Sequence, residues 1–314
     1  MADVLLSICI PTYNRAKSLD ETIGSIVAQK AFLNSNEIEI IIADNCSTDN
    51  TQQVSEKYTN QFSDKIKYIR NEKNIGSYLN QKTALDASSG TILKLHNDNL
   101  DMIEDSLSDI LQLIKNNIKD KPIIFCTNGN AKNKSELIFC KDMNEFVSNV
   151  SYFSTWIGGL FIWKSEYKNL DNPFRHGDLM LPQVDILLRL LAKQRKAVVY
   201  NKKFSRVLAT EKKSGYNVAE IFGQNYISLH KPYIDTGLLD RNIFKREKFR
   251  LLYKHIIPCY FDFAKEFNYK KTGYLKYLVD YKKDWFFYFS FLMFPLIFIK
   301  SVAKKTIKNL FRRG

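Results

Sequence analysis

Asp98 stands in a run of four polar residues, His96-Asn97-Asp98-Asn99, that follows the β-forming stretch 91–95 (TILKL) with no glycine or proline between them. A carboxylate beside an imidazole and two amides can make a plain turn. It can equally form the mouth of a site for a cation or a phosphate. Asp44 closes a second apolar stretch, 38–43 (IEIIIA), and its carboxylate can accept hydrogen bonds from the ring N–H of a base. A third polar cluster, Pro11-Thr12-Tyr13-Asn14, follows the apolar run 4–10. Its backbone groups and the Tyr13 ring could wall a nucleoside, or the ring could simply pack.

The elements that must position these residues alternate. Apolar runs at 4–10, 38–43, 67–70, 91–95 and 123–127 read as strands. Leu19, Ile23, Ile26 and Val27, then Leu79, Thr83, Ala84 and Ala87, then Ile103, Leu107, Ile110, Leu111 and Ile114 recur at helical spacing. Asp49 or Ser47 suits the cap of a helix through Val54 and Tyr58. This βα alternation predicts an α/β fold with a mostly parallel sheet and helices on both faces. Ligands in such sheets bind outside the carboxyl ends of the strands. All three polar clusters fall at those ends, so they should meet at one edge. Further on, Trp156 to Trp163 reads as a loop with two glycines feeding a strand, residues 186–191 as helix, and 197–200 as strand. Strand signals then fade, which places a boundary near residue 215 and divides the chain into 1–215 and a mainly helical 216–314.

Charge is divided just as unevenly. Residues 241–314 carry 18 Lys and Arg against 5 Asp and Glu, a net of +13 in a chain whose total is +14. Five scattered cysteines without a close pair argue against a disulfide framework or a zinc site and suit a reducing compartment. The start, MADVLLSICIPTYNR, lacks the pattern of a signal peptide. A cytoplasmic protein is expected.

The strings SICIPTYNRAKSLDETIGSIVAQ, EIIIADNCSTDNT and NIGSYLNQKTALDASSGTILKLHNDN resemble family 2 glycosyltransferases of the GT-A fold, bacterial enzymes that use nucleotide-sugar donors. The resemblance covers residues 4–105, weakens through 155–200 and is lost after about 215. It implies a nucleotide-sugar site built from Pro11, Thr12, Tyr13, Asp44, Asn74, Gly76, His96, Asn97 and Asp98, with Asp44 reading a uracil-like base edge. In the family the fourth strand ends in Asp-x-Asp, which holds a divalent cation on the donor's two phosphates. Here Asp98 matches the second Asp and His96 replaces the first, so the expected metal ligands are Asp98 and His96. The expected ion is Mn²⁺ or Mg²⁺, hard cations that take oxygen ligands and keep some water. Asn74 and Gly76 match an Asn-x-Gly loop near the donor, where Gly76 could serve a positive φ, a close backbone approach or a plain turn.

An inverting transferase also needs a base for the acceptor hydroxyl. The family usually places an acidic pair about six residues before an Arg-Leu on a helix. Arg189-Leu190 fits that Arg-Leu, yet Pro182-Gln183 stand in place of the acids. Asp185 is the nearest carboxylate, with Asp178 and His176 of the preceding loop as rivals. Trp156, Gly158 and Gly159 would lie between the donor and acceptor pockets, and Trp163 in the core.

Residues 285–299 form an apolar run of 15 broken by Pro295, short of the roughly 20 needed to span a bilayer. The run precedes a basic amphipathic segment carrying Lys304, Lys305, Lys308, Arg312 and Arg313. Together they read as an element lying in a membrane interface, or as a helix packing on the body or on a second copy. No base-stacking or groove-entry motif supports nucleic-acid binding. The expected activity is metal-assisted, inverting transfer of a sugar from a nucleoside-diphosphate donor, UDP-linked in the first instance. The acceptor would be a lipid-linked saccharide or surface glycan, met from the inner face of the cytoplasmic membrane. Two alternatives stand beside it. One is a nucleotidyltransferase, disfavoured by the lack of a glycine-rich basic loop in PTYNRAKS. The other is a non-catalytic glycan- or membrane-binding module.

Overall fold

The structure is a computed structural model that describes residues 4–194, 196–208, 215–261, 269–292 and 299. Two compact units emerge, one from Met1–Asp178 with Pro182–Thr210 and one from Leu179–Leu181 with Glu211–Gly314.

The first unit holds the strands β1 (Leu6–Thr12), β2 (Ile38–Asp44), β3 (Ile66–Arg70), β4 (Ile92–Leu95), β5 (Leu100–Met102), β6 (Ile123–Cys126), β7 (Leu137–Cys140), β8 (Leu160–Trp163), β9 (Ala197–Tyr200) and β10 (Ser205–Val207). Its helices are α1 (Ala16–Val27), α2 (Lys30–Leu33), α3 (Thr51–Gln61), α4 (Ser77–Asp86), α5 (Ser106–Asn117), α6 (Met143–Val150), α7 (Lys164–Lys168) and α8 (Pro182–Gln194). Eight strands form one sheet in the order β3-β2-β1-β4-β8-β6-β9-β7, while β5 and β10 pair as a separate ribbon.

Strands β1 to β4 run parallel, as the βα alternation predicts. The sheet is nonetheless mixed. β8 inserts antiparallel between β4 and β6, so the fourth and sixth strands are not neighbours. Every residue of β8 is buried. Two covered faces leave no polar alternation to mark its place or direction.

Side chains two apart share a face of a strand. Leu6, Ile8 and Ile10 of β1 with Ile38, Ile40 and Ile42 of β2 meet Leu19, Ile23 and Ile26 of α1 and Leu107, Ile110 and Ile114 of α5 in the main core. The opposite face of β1 meets α4, where Cys9 Sγ lies 3.1 Å from Ser88 Oγ. Trp163 is core as expected, its indole N–H donating to Pro122 O at 2.7 Å.

The second unit is helical among the described residues. Two π-helical stretches, Ala219–Asn225 and Leu252–Ile256, feed α9 (Tyr226–Asp235) and α11 (Ile257–Tyr260), with α10 (Arg241–Leu251) between them. Asp240 caps α10, accepting from the N–H groups of Asn242 and Ile243 at 2.9 Å each. A 3-10 stretch at Tyr274–Tyr281 precedes helical residues 285–292. Among the described residues no helix is long and apolar enough to cross a membrane. The basic segment 300–313 lies outside the described residues.

Candidate functional site at the carboxyl edge of the sheet

β2 and β3 lie to one side of β1, and β4 to the other. The connections diverge there, leaving a crevice at the carboxyl ends of β1 and β4. Thr12 ends β1, and its hydroxyl donates to Asp98 Oδ2 at 3.0 Å. Asp98 is 9% exposed, and the neighbouring Asn97 Oδ1 is buried without a hydrogen-bond partner. Tyr13, 43% exposed, follows Thr12 at the rim.

Asparagines organise the adjoining wall. Asn45 donates to Asn74 Oδ1 at 2.7 Å and accepts from the Ile75 N–H at 2.9 Å and from Asn71 at 3.2 Å. Asn80, buried on α4, donates to Ala43 O at 2.8 Å and Thr12 O at 3.3 Å. Asn71 donates to Asn80 in turn, at 2.8 Å. Asn74 Oδ1 also receives the N–H of Gly76, whose φ of +89 has open space around it. Of the three reasons considered for that glycine, backbone conformation is the one seen.

Three expected roles are revised by the side-chain geometry. Asp44 sits at its strand end as predicted but is 0% exposed. Its Oδ1 accepts from the N–H and hydroxyl of Ser47, at 2.9 and 2.5 Å. Its Oδ2 accepts from Tyr68 OH at 2.9 Å and lies 3.5 Å from the Arg70 guanidinium. Neither oxygen is left open to a base ring. What Asp44 holds is the loop: Ser47 Oγ receives the Asn14 N–H, and Asn14 Oδ1 receives the Thr48 N–H. Burial, and then the bond to Asp44, push the Tyr68 hydroxyl up to about 12. Asp49 serves helix starts, accepting from Thr51 N and Ala16 N at 3.0 Å each.

His96 turns inward, away from the place a metal ligand would need. Its Nδ1 lies 2.9 Å from Lys94 Nζ and its Nε2 3.3 Å from Leu100 O. An ammonium only donates, so Nδ1 accepts and the proton resides on Nε2. Both ring nitrogens are spent inside the protein. Burial, then the Lys94 charge, hold the imidazole well below its usual range, so it is neutral.

Asp185 is 3% exposed and clamped on α8. Arg175 donates to it through Nε at 3.1 Å and Nη2 at 2.8 Å, and Arg189 stands 3.6 Å away. A carboxylate so occupied anchors its helix and is unsuited to take a proton from an acceptor. The rivals lie in the loop before α8. Gly177 lies against the Tyr78 ring of α4, so close that a Cβ there would collide. His176 and Asp178 therefore flank the helix that begins just after Asn74 and Gly76. Asp178 is exposed and His176 half-buried.

The corner's fitness for a hard cation is readable from its donors. With His96 withdrawn, Asp98 offers one carboxylate and Asn97 an unpartnered amide oxygen, both hard ligands. Among the described residues no three His, Cys, Asp or Glu side chains gather as a metal cage. The set suits an ion that keeps waters and shares phosphate oxygens, as Mg²⁺ and Mn²⁺ do. Asn71, Asn80 and Lys94 went unnoticed in the sequence; the density of asparagine between 71 and 80 was the available signal for the first two.

Known proteins match the same stretch of chain. Residues 7–149 match the family model described as glycosyl transferase family 2. Abequosyltransferase RfbV of Salmonella typhimurium is 37% identical over 109 residues, 35% of this chain and 32% of that protein. The GalNAc(5)-diNAcBac-PP-undecaprenol beta-1,3-glucosyltransferase of Campylobacter jejuni is 32% identical over 108 residues, 34% of this chain and 33% of that one. The matched stretch is thus about a third of the length of each of these curated relatives. Among solved structures, S. aureus TarS in complex with UDP-GlcNAc superposes with a TM-score of 0.56 at 16% identity, covering 90% of this chain and 78% of that one. Mannosyltransferase PcManGT from Pyrobaculum calidifontis, in complex with GDP-Man and Mn²⁺, gives 0.53 at 14% identity, covering 95% and 86%. At those identities the likeness speaks for the fold. The polar corner between β1 and β4 falls inside residues 7–149, the stretch whose likeness is to glycosyl transferase family 2.

Proposed function

We propose that the chain transfers a sugar, with inversion, from a nucleoside-diphosphate donor to a saccharide acceptor. The observation that carries this reading is the meeting of Thr12 and Asp98 across the crevice, with the buried, unpartnered amide oxygen of Asn97 next to Asp98 in the chain. Tyr13 would face the nucleoside, and Asn74 and Gly76 would line the donor's flank. Asp98 and Asn97 would hold a divalent cation. When bound, that ion offsets charge developing on the departing diphosphate. Asp178 is the favoured base and His176 its alternative, since Asp185 is committed to two arginines. UDP is the first nucleotide to try.

The acceptor is proposed to be lipid-linked, with the protein working peripherally on the inner face of the cytoplasmic membrane. Within residues 285–292, Trp285, Tyr288, Phe289 and Leu292 are all exposed. They recur at i, i+3, i+4 and i+7 and, with the exposed Phe291, give an uncharged apolar surface between Lys282-Lys283 and Lys300, as interfacial helices present. Sedimentation with anionic vesicles, lost on joint substitution of Trp285 and Phe289 by Ser, tests the membrane contact.

The test of the whole reading is a thermal-shift screen of nucleoside diphosphates with and without Mn²⁺, followed by sugar release from the donor that shifts most. Stabilisation by a nucleoside diphosphate together with donor turnover is expected. Absence of both would favour a non-catalytic module, the reading that the inward His96 and clamped Asp185 motivate. Pyrophosphate release from a sugar phosphate and a nucleoside triphosphate would instead indicate a nucleotidyltransferase.

A further inference from the structure

Lys94 lies in the middle of β4 with no exposed surface. Its ammonium donates to Gly158 O at 2.9 Å, His96 Nδ1 at 2.9 Å and Leu95 O at 3.2 Å, all neutral acceptors. The rings of Phe161 and Phe204 stand 5.4 Å away, their faces toward the charge. The titratable groups around it are His96 just past the end of its own strand, Cys9 on β1 and Cys126 on β6. The imidazole is neutral, and burial pushes both thiols up to about 12, so they carry no charge either. Among the described residues no carboxylate stands within ion-pair distance of Lys94.

An ammonium taken out of water without an anion costs several kcal/mol even after local relaxation. A methionine of similar length would fill the space without that cost. Departures of this kind from ordinary core chemistry concentrate at functional sites. The place of this one is informative. His96 spans from Lys94 to Leu100 O, bracing the base of the turn that carries Asn97 and Asp98. Gly158 belongs to the segment that enters β8 beside Trp156, and it lies against Leu100. The cation therefore underlies the corner and ties together the two segments that border it.

We infer that Lys94 is a positioning residue of the donor site, whose buried positive charge both fixes the 96–99 turn through His96 and gives the corner a potential that the donor's diphosphate neutralises. The inference rests on the glycosyl-transfer reading above. It assigns the anion's counter-charge partly to the protein itself, at the very turn where the family's first Asp is replaced.

The experiment measures binding of UDP, GDP and the neutral nucleosides uridine and guanosine to the full chain, by calorimetry or ligand-observed NMR, in Mg²⁺ and in EDTA. Wild type is compared with Lys94→Met and Lys94→Gln, and melting curves establish that each variant is folded. Where the Met variant does not fold, the Gln variant, which keeps a donor toward Gly158 O, carries the comparison. The expected result is a loss of at least tenfold in diphosphate affinity, in both Mg²⁺ and EDTA, with nucleoside affinity changed less than twofold. Equal loss for diphosphate and nucleoside would reduce Lys94 to a packing element and overturn the inference. So would unchanged diphosphate affinity in a folded variant. A wild-type chain that binds no diphosphate would overturn the transferase reading and this inference with it, an outcome distinct from the other two.

Discussion

Thr12 and Asp98 are 86 residues apart in the chain, and the hydroxyl of one donates to the carboxylate of the other at 3.0 Å. That bond joins the carboxyl ends of β1 and β4 and holds the Asp98 carboxylate in place. Asp98→Asn keeps the shape and an acceptor oxygen while removing the charge. It is expected to lower kcat/KM for donor turnover by about a hundredfold or more, in line with losing one electrostatic stabiliser of a developing anion. The melting temperature should change little, and the Mn²⁺ concentration needed for half-maximal nucleotide binding should rise. Full activity in the Asn variant would end the assignment.

The proposed proton acceptor, Asp178, can be separated from the clamped Asp185 by comparing two aspartate variants. Asp178→Asn should leave the melting temperature unchanged and reduce kcat by a factor on the order of 10² to 10⁴, the usual range for a general base. Asp185→Asn should do the reverse, lowering stability by about 3 kcal/mol because two arginines lose their shared anion. A Michaelis constant and kcat near wild type are then expected for whatever Asp185→Asn enzyme remains folded at low temperature. If Asp178→Asn is fully active, His176→Gln becomes the decisive variant.

How much of this could be read from residues alone differs by element. The strands β1, β2 and β4 and their polar ends were legible because each is an apolar run that stops abruptly, and βα alternation fixes which ends are neighbours. The place of β8 was not, since its four residues are buried on both faces and any of several positions would satisfy them. Side-chain direction was the other blind spot. Residue type marks His96 as polar, but only the packed structure shows it bonded to Lys94. Lys94 is one cation inside the apolar run ILKL, and nothing in residue type shows that its ammonium is buried against Gly158 O. The clamp on Asp185 depends on Arg175, placed by a loop that carries no periodic signal.

Asp44 offers a test of a residue whose work is architectural. Removing its side chain by Asp44→Ala would strand the Tyr68 hydroxyl and the Ser47 N–H in a buried place. Each unsatisfied group costs about 1–3 kcal/mol, so a loss of about 3 kcal/mol in unfolding free energy is expected from urea titration. Nucleotide affinity should fall as well, because Ser47 holds Asn14 and hence the loop beside Tyr13. Loss of affinity with no loss of stability would restore Asp44 to a direct contact with the base.

Acid should loosen both units through histidine. Burial holds His230 and His255 down to about 4, and His96 well below its ordinary value near 6.5. Each folded pKa is depressed, so between the folded and unfolded values the unfolded chain binds more protons. The stability that comes from keeping these rings neutral is therefore fully present above about pH 6.5 and lost as pH falls toward 4. For His230 the shift corresponds to about 3 kcal/mol once pH reaches the folded value. Denaturant unfolding followed from pH 7.5 to 4.5 should show this decline. His230→Asn should flatten it, in the transition that belongs to residues 215 onward, relative to wild type at each pH. The ring contacts His230 makes with Tyr226 and Phe244, 4.3 and 5.0 Å between centroids, mean that the variant also starts from a lower value at neutral pH. The slope and not the intercept carries the test. An identical slope in wild type and variant would show that the imidazole protonates without penalty, and that some other group governs acid unfolding.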